Sequence, residues 1–304
     1  MKLKKHFNFN MYSQIDTNKK KSFFLIIFFI IFILFLGWFI GQISNLGYTG
    51  IIIAAVIALS MSLSGYYSGD KVALWSSGAK EIKKTDNPYV YNLVENLCIT
   101  AGIPVPKIYI INDSAPNAFA TGRDPKHASI ALTTGIISKL ENEELEGVVA
   151  HELSHIKNYD IRLMTLVVVL VGIVSLLAHW FLRFSLFGGR SRNSKQGSAG
   201  TILLIIGLIL MILSPIIAQL IKLAVSRKRE FLADASAALL TRYPEGLAKA
   251  LEKISQNSQP LKKANGATAH LYIASPFGNK KNITAKLFST HPPIKERINT
   301  LRKM

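Results

Sequence analysis

The chain is poor in cysteine and in acidic residues. Cys98 is the single cysteine among 304 residues. An intrachain disulfide is therefore impossible, and we expect Cys98 to be a small apolar packing residue in a reducing compartment. Asp and Glu total 18 against 36 Lys and Arg, which gives a formal net charge of +18.

The excess of basic residues predicts attraction to anionic lipid. The lysines flank hydrophobic segments or are scattered through the carboxyl-terminal half of the chain. Because no recognised nucleic-acid module accompanies them, we predict no nucleic-acid partner. We expect the lipid bilayer to be the surface that these residues meet.

Charge is also missing from four long segments, and this absence predicts a membrane protein. Hydrophobic residues make up 49% of the chain. They concentrate in two pairs of uncharged segments, residues 23–40 with 46–67 and residues 163–182 with 202–218. At 1.5 Å per residue the first segment would span about 27 Å, close to the thickness of a bilayer core. It lacks an A-x-A-like cleavage site, so we interpret it as an anchor and not as a removed signal peptide.

Lysines predict how these segments are oriented. Six lysines and one acid, Asp16, precede the first segment, whereas residues 41–47 carry no charge. The positive-inside rule therefore places the amino terminus in the cytoplasm, and two crossings return residues 70–160 to the cytoplasm. The loop after the third segment contains Arg183, Arg190, Arg192 and Lys195. The second pair of segments therefore either spans the membrane despite this charge or lies shallowly in it.

A divalent-metal motif lies in the predicted cytoplasmic region. The run HELSH at residues 151–155 places His151 and His155 one helical turn apart on one face. Both imidazoles can bind one zinc ion at about 2.0–2.1 Å, while Glu152 reaches a water molecule beside it. We therefore predict one zinc ion per chain, with Glu152 as the general base. The alternative is a charged helix turn on the surface without a metal.

The residues before the motif predict an α+β domain. Ser138 and Glu141 fit a capping box, which predicts a helix from about residue 139 through the motif. Three β-prone runs precede this helix, at residues 107–112, 117–122 and 128–133. These elements predict a small antiparallel sheet next to the metal-binding helix.

One of the β-prone runs is a candidate substrate site. An endopeptidase usually holds its substrate extended against the edge of a sheet, where main-chain hydrogen bonds give affinity without demanding a sequence. Asn117, Ala118 and Phe119 are the best candidates for that edge. They predict a protein or peptide substrate bound as an extended strand. The alternative is that this run is only one strand of a hairpin.

A catalytic zinc site needs a third protein ligand. Glu230 and Asp234 lie one turn apart in residues 226–243, which have the pattern of a helix. This spacing allows Glu230 to bind the metal while Asp234 orients a ligand histidine through its other ring nitrogen. On spacing alone, the simpler interpretation is an acidic pair that balances Arg227 and Arg229 on a solvated face.

The chain resembles the HtpX family of membrane-bound zinc metalloendopeptidases, relatives of the CAAX prenyl proteases. The resemblance is carried by four motifs: HELSH at 151–155, REFLAD at 229–234, NAFATG at 117–122, and STHPP at 289–293 with Arg297. It covers the chain from the first hydrophobic segment to the end. It implies a zincin-like (gluzincin) fold in the cell inner membrane. It also implies proteolysis of membrane or misfolded proteins, in protein quality control and stress response.

The resemblance also assigns roles to individual residues. The implied zinc ligands are His151, His155 and Glu230. The implied catalytic residues are Glu152, as the base, and His291, as a second polar donor to the oxyanion. The implied supporting residues are Asp234 and Arg297. The implied substrate-binding residues are Asn117, Ala118 and Phe119.

The predicted organisation alternates membrane and catalytic parts. Residues 1–21 form a basic extension that looks longer than is usual in this family, and we expect a disordered tail near lipid headgroups. The remaining parts are two transmembrane helices at 22–68, a first catalytic part at 69–162, a membrane hairpin at 163–225 and a second catalytic part at 226–304.

Other functions stay open at this point. An intramembrane protease of the site-2 type would place the glutamates around the motif in hydrocarbon, at about 2.5–3.5 kcal/mol each, so we expect the motif outside the bilayer. An inactive metal-binding membrane scaffold would contain the same residues. Prenylated proteins are the alternative substrates, and cooperation with other membrane quality-control proteases rests on family analogy.

Overall fold

The computed structural model describes residues 11–43, 47–187, 227–257, 259–278 and 292–304. Two long helices come first, α1 (Met11–Ile43) and α2 (Thr49–Ser77). Among the described residues, these are the helices long and apolar enough to cross a membrane. Where they meet, a Cβ on Gly37 or Gly50 would contact the backbone of the opposite helix. Small residues therefore let the two helices pack closely.

Helix α1 begins earlier than the sequence suggests. Residues 11–21 belong to it, so the expectation of a disordered tail over residues 1–21 is wrong for this part. Residues 1–10 lie outside the described residues. Asn18 and Ser22 are buried because the start of α1 packs against the chain around Asp160. Tertiary contacts thus order a polar stretch that has no apolar pattern of its own.

A small sheet with two helices follows α2. Its elements are β1 (Ala79–Glu81), α3 (Pro88–Ala101), β2 (Lys107–Ile111), β3 (Ala118–Asp124), β4 (His127–Thr133) and the short α4 (Thr134–Lys139). The described strands form one four-stranded sheet in the order β1-β2-β4-β3.

The sheet is mixed, which corrects the prediction of an antiparallel sheet. Strands β1 and β2 are antiparallel, as are β3 and β4, but β2 and β4 are parallel. The hairpin is the reason. Strand β3 runs antiparallel to β2 at the outside of the sheet. The tight turn after β3 reverses the chain, so β4 lies between β3 and β2 and runs parallel to β2. This leaves β3 at the edge of the sheet.

Helix α5 (Asn142–Lys157) carries the HELSH motif. It begins later than the predicted residue 139, because α4 ends there and a different pair of residues caps α5. The backbone N–H of Glu141 donates to the Glu144 carboxylate at 2.9 Å. The hydroxyl of Ser138 instead donates to the carbonyl of Gly135 within α4.

A tight turn joins α5 to α6 (Asp160–Phe187), which includes the third hydrophobic segment. Tyr159 in this turn has a left-handed backbone, with φ of 59°. The cationic groups of Lys19 and Arg162 lie 4.8 and 5.1 Å from the centre of its ring. The fourth hydrophobic segment, residues 202–218, lies outside the described residues, so the membrane hairpin and the domain boundaries stay predictions.

Three more described helices complete the fold, α7 (Arg227–Thr241), α8 (Pro244–Gln256) and α9 (Ile294–Leu301). Helix α5 packs against β3, α7 and α8. Its core residues are Leu145, Val148, Val149, Leu153 and Ile156. Burial of one such side chain contributes about 1.5–3 kcal/mol, which holds the motif helix firmly among its neighbours.

We predict that Gly147→Ala destabilises this packing. A Cβ at this position would lie 2.7 Å from the backbone nitrogen of Leu247 in α8, so one helix must move. Overpacking of this kind costs about 1–3 kcal/mol. The full chain in detergent should therefore unfold at a lower temperature. Gly172→Ala in α6 is the control, because no atom of the described residues lies within 4 Å of a Cβ at this position. An unchanged melting temperature for Gly147→Ala would contradict the close contact.

Candidate active site

Two helices bring three potential metal ligands together. His151 and His155 lie on α5, and Glu230 lies in the first turn of α7. The Nε2 atoms of the two histidines are 3.2 Å apart. The carboxylate oxygens of Glu230 lie 3.8 Å from Nε2 of His151 and 3.6 Å from Nε2 of His155. All three side chains are buried, although a long stretch of chain separates Glu230 from the histidines.

The second ring nitrogen of each histidine faces a carboxylate. Nδ1 of His151 lies 3.0 Å from Oδ1 of Asp234, and Nδ1 of His155 lies 2.9 Å from Oδ2 of Asp160. Since an ionised carboxylate only accepts hydrogen bonds, each Nδ1 carries a proton and donates it. Nε2 of a neutral ring then keeps its lone pair, the state in which histidine binds a metal.

The arrangement of these atoms fits a divalent cation. Nε2 of His151 and Nε2 of His155 lie 3.2 Å apart, close enough for one cation to bind both. Ligand atoms at 2.0–2.1 Å around tetrahedral zinc are about 3.3 Å apart. The two Nε2 atoms are at about that separation. One ligand atom from each of His151, His155 and Glu230 lies within 4.8 Å of the other two. Within the part of the chain that the structure describes, this is the group that could hold a metal ion.

Burial and nearby charges give the two rings opposite proton affinities. Burial, followed by the positive charge of Arg297, lowers the pKa of His151 to about 4. Burial also opposes protonation of His155, but its hydrogen bond to Asp160 and the charge of Glu230 outweigh this and raise the pKa of His155 to about 9. The proton that His155 holds near neutral pH lies where a metal would bind, so a divalent cation would displace it.

Arg297, on α9, contacts both acidic residues of α7. This side chain is completely buried, and its Nε and Nη2 donate to the two oxygens of Asp234 at 2.9 and 2.6 Å. Nη1 lies 3.6 Å from the Glu230 carboxylate and donates to the carbonyl of Ile273 at 3.2 Å. Burial opposes the charge of Arg297, but Asp234 outweighs it and raises the pKa of Arg297. The same ion pair lowers the pKa of Asp234 against the effect of burial.

Glu152 lies between the ligands and the edge of the sheet. Its buried carboxyl group accepts a hydrogen bond from the backbone N–H of Ala120 in β3. Burial raises the pKa of Glu152 to about 7, and the charge of Glu230 adds to this against the opposing charge of His155. A carboxyl group whose pKa is near neutrality can both accept and release a proton.

The predicted substrate strand lies at the sheet edge, but the chain covers it. The three predicted residues, Asn117, Ala118 and Phe119, are all buried. Ile273 donates its backbone N–H to the carbonyl of Ala118 at 3.0 Å. The side-chain amide of Asn117 donates to the carbonyl of Ala274 at 3.0 Å. Residues 271–274, the covering segment, thus occupy the outer edge of β3 beside the metal-ligand cluster.

Some residues of the cluster were not identified from the sequence. Asp160 orients His155, and Arg229 lies 3.6 Å from Asp160. The signal for Asp160 is an acid at the first position of a helix, but acids are favoured there for capping in any case. His291 lies outside the described residues, so its role stays a prediction.

Comparison with known proteins extends this picture beyond the site. The profile of peptidase family M48 matches residues 84–304. A "Protease HtpX homolog" of Dictyoglomus turgidum is 47% identical over 97% of this chain and 95% of its own length. Another, of Caldanaerobacter subterraneus, is 44% identical over 97% of this chain and 98% of its own length. A crystal structure of S. mikatae Ste24p is 18% identical, with a TM-score of 0.49, over 95% of this chain and 67% of that chain.

The sequence matches confirm the predicted resemblance to HtpX proteases. The family match includes the HELSH helix, α7 and α9, and the relatives match nearly the whole chain. The chain belongs to peptidase family M48 and is a membrane-associated metalloprotease.

Proposed function

We propose that the chain is a zinc endopeptidase that hydrolyses membrane or misfolded proteins at the cytoplasmic face of the membrane. The observation that carries this proposal is the convergence of His151, His155 and Glu230 beside Glu152 in a buried cluster. One zinc ion per chain, bound by these three ligands, would polarise a water molecule and the scissile carbonyl.

We assign both proton transfers of peptide hydrolysis to Glu152. Its carboxylate accepts a proton from the attacking water and later gives it to the leaving amine, so the residue ends as it began. Burial raises the pKa of Glu152, which favours its uptake of the proton. Asp234 and Asp160 hold the two imidazoles by Nδ1, which keeps each Nε2 directed at the same point.

The substrate would bind along β3 in place of the covering segment. The Ala118 carbonyl and the Asn117 side chain already bind the backbone of Ile273 and Ala274. An extended peptide offers the same donors and acceptors whatever its sequence, which suits an enzyme that cleaves diverse proteins. The covering segment must therefore leave β3 before a substrate can reach Glu152.

A cytoplasmic site outside the bilayer is supported by charge. Glu141 and Glu143 at the start of α5 are exposed. Each would cost about 2.5–3.5 kcal/mol inside the membrane, which argues against an intramembrane site. The lysines at the start of α1 favour a cytoplasmic amino terminus. Roles in quality control and stress response rest on the family resemblance.

Replacing Glu152 should separate catalysis from metal binding. Glu152→Gln cannot accept the proton, so casein cleavage should slow by about 10²–10⁴-fold. Elemental analysis should still find zinc at the wild-type ratio, because Glu152 is not a ligand. Glu230→Ala should instead lose zinc.

Glu143→Gln, an exposed change on the same helix, is the control and should cleave at the wild-type rate. Wild-type cleavage by Glu152→Gln would remove Glu152 from the role of base. If the wild-type chain itself bound zinc but cleaved nothing, the inactive scaffold would be the better interpretation.

Substrate binding should release the covering segment. In the Glu152→Gln protein, a saturating casein peptide should speed hydrogen exchange at the Ile273 amide, because the hydrogen bond to Ala118 is given up. Amides in the middle of α3 should exchange at an unchanged rate and serve as the internal control. Unchanged or slower exchange at Ile273 would show that the substrate binds without displacing this segment.

Cysteine labelling should reveal the side of the membrane that the site faces. In a Cys98→Ala background, Glu143→Cys should react with a membrane-impermeant maleimide only after spheroplasts are disrupted. Tyr48→Cys is the matched control, since Tyr48 is 81% exposed in the connection between α1 and α2 and should react in intact spheroplasts. Labelling of Glu143→Cys in intact spheroplasts would contradict the cytoplasmic orientation. No labelling after disruption would favour an intramembrane site.

A further inference from the structure

A buried amide from α1 reaches the support of the metal-ligand cluster. Asn18 is 1% exposed although the start of α1 is polar. Its side-chain NH₂ donates to Oδ1 of Asp160 at 2.7 Å and to the backbone carbonyl of Asn158 at 3.0 Å. Its side-chain oxygen accepts a hydrogen bond from Nη1 of Arg229 at 3.1 Å. Both N–H donors and the acceptor of this amide therefore serve residues from other elements.

The partners of Asn18 adjoin two of the three potential ligands. Asp160 uses its other oxygen to accept the Nδ1 proton of His155 at 2.9 Å. Arg229 directly precedes Glu230 in α7, and its Nη1 lies 3.6 Å from Oδ1 of Asp160. Asn18 thus bridges Asp160, which orients His155, and Arg229, which is next to Glu230 in the chain.

We propose that Asn18 is a positioning residue for the metal site. It fixes Asp160 between His155 and Arg229, and in this way holds ligands from two distant parts of the chain in one geometry. This inference rests on the proposed zinc-binding function. It makes the amino-terminal end of the anchor helix a part of the support of the site, in addition to its attachment to the membrane.

An amide is the side chain that these partners require. Aspartate at position 18 would bring a second carboxylate to Asp160, which needs a donor. Leucine has a similar size but no polar atoms. Asp160 and the Asn158 carbonyl would each lose a hydrogen-bond donor, and Arg229 would lose an acceptor. In either variant Asp160 would turn toward Arg229, and its hold on His155 would weaken.

Zinc affinity of the full chain in detergent tests this role. The zinc dissociation constant is measured by competition with a chromophoric chelator. Asn18→Leu should raise it about 10–100-fold, the usual effect of losing a group that orients a metal ligand. Ser22→Ala is the matched control. Ser22 lies one turn further along α1 and is also buried, but its hydroxyl donates to the Asn18 carbonyl of its own helix. This variant should bind zinc like the wild type.

A second variant keeps the test decisive if Asn18→Leu does not fold. Asn18→Asp preserves the size of the side chain and should also weaken zinc binding. For both variants, casein cleavage at limiting zinc should fall and should recover when zinc exceeds the new dissociation constant. A purely structural defect would not recover in this way.

Wild-type zinc affinity in the folded Asn18 variants would overturn the proposal, and so would an equal loss of affinity in Ser22→Ala. A wild-type chain that binds no zinc would instead overturn the proposed function itself, so the two failures can be told apart.

Discussion

Two buried carboxylate–imidazole pairs are the constraint on which this site depends. Asp234 and Asp160 each fix one ring nitrogen as a donor, and this turns the other nitrogen of each ring toward a common point. Buried carboxylates are costly unless they are paired and hydrogen-bonded. Arg297 and Arg229 supply the balancing positive charge. Without these pairs nothing would fix the orientation in which the Nε2 atoms of the two rings face each other.

The fold distributes the parts of this cluster over the whole chain. Helix α5 contributes two imidazoles, α7 contributes two carboxylates, α9 contributes a guanidinium and α1 contributes an amide. Strand β3 adds the backbone N–H of Ala120, which donates a hydrogen bond to Glu152. Because no single segment contains a complete site, a metal bound there would stabilise the tertiary fold.

The parts of the site that follow from spacing within one helix could be predicted, and the parts that depend on distant contacts could not. The positions of His151 and His155 relative to each other follow from helix geometry. Asp160 and Asn18 gain their contacts only when separate segments meet, and in the sequence each is a polar residue beside a hydrophobic segment. The β-prone runs were recognisable for the same local reason. The parallel pairing of β2 with β4 was not, because it depends on the side of the sheet that the hairpin takes.

The turn at Tyr159 couples the motif helix mechanically to α6. It joins the motif helix directly to α6, and the first residue of α6 is the carboxylate that orients a histidine. A displacement of α6 along its axis would therefore move Asp160 and, with it, the ring of His155.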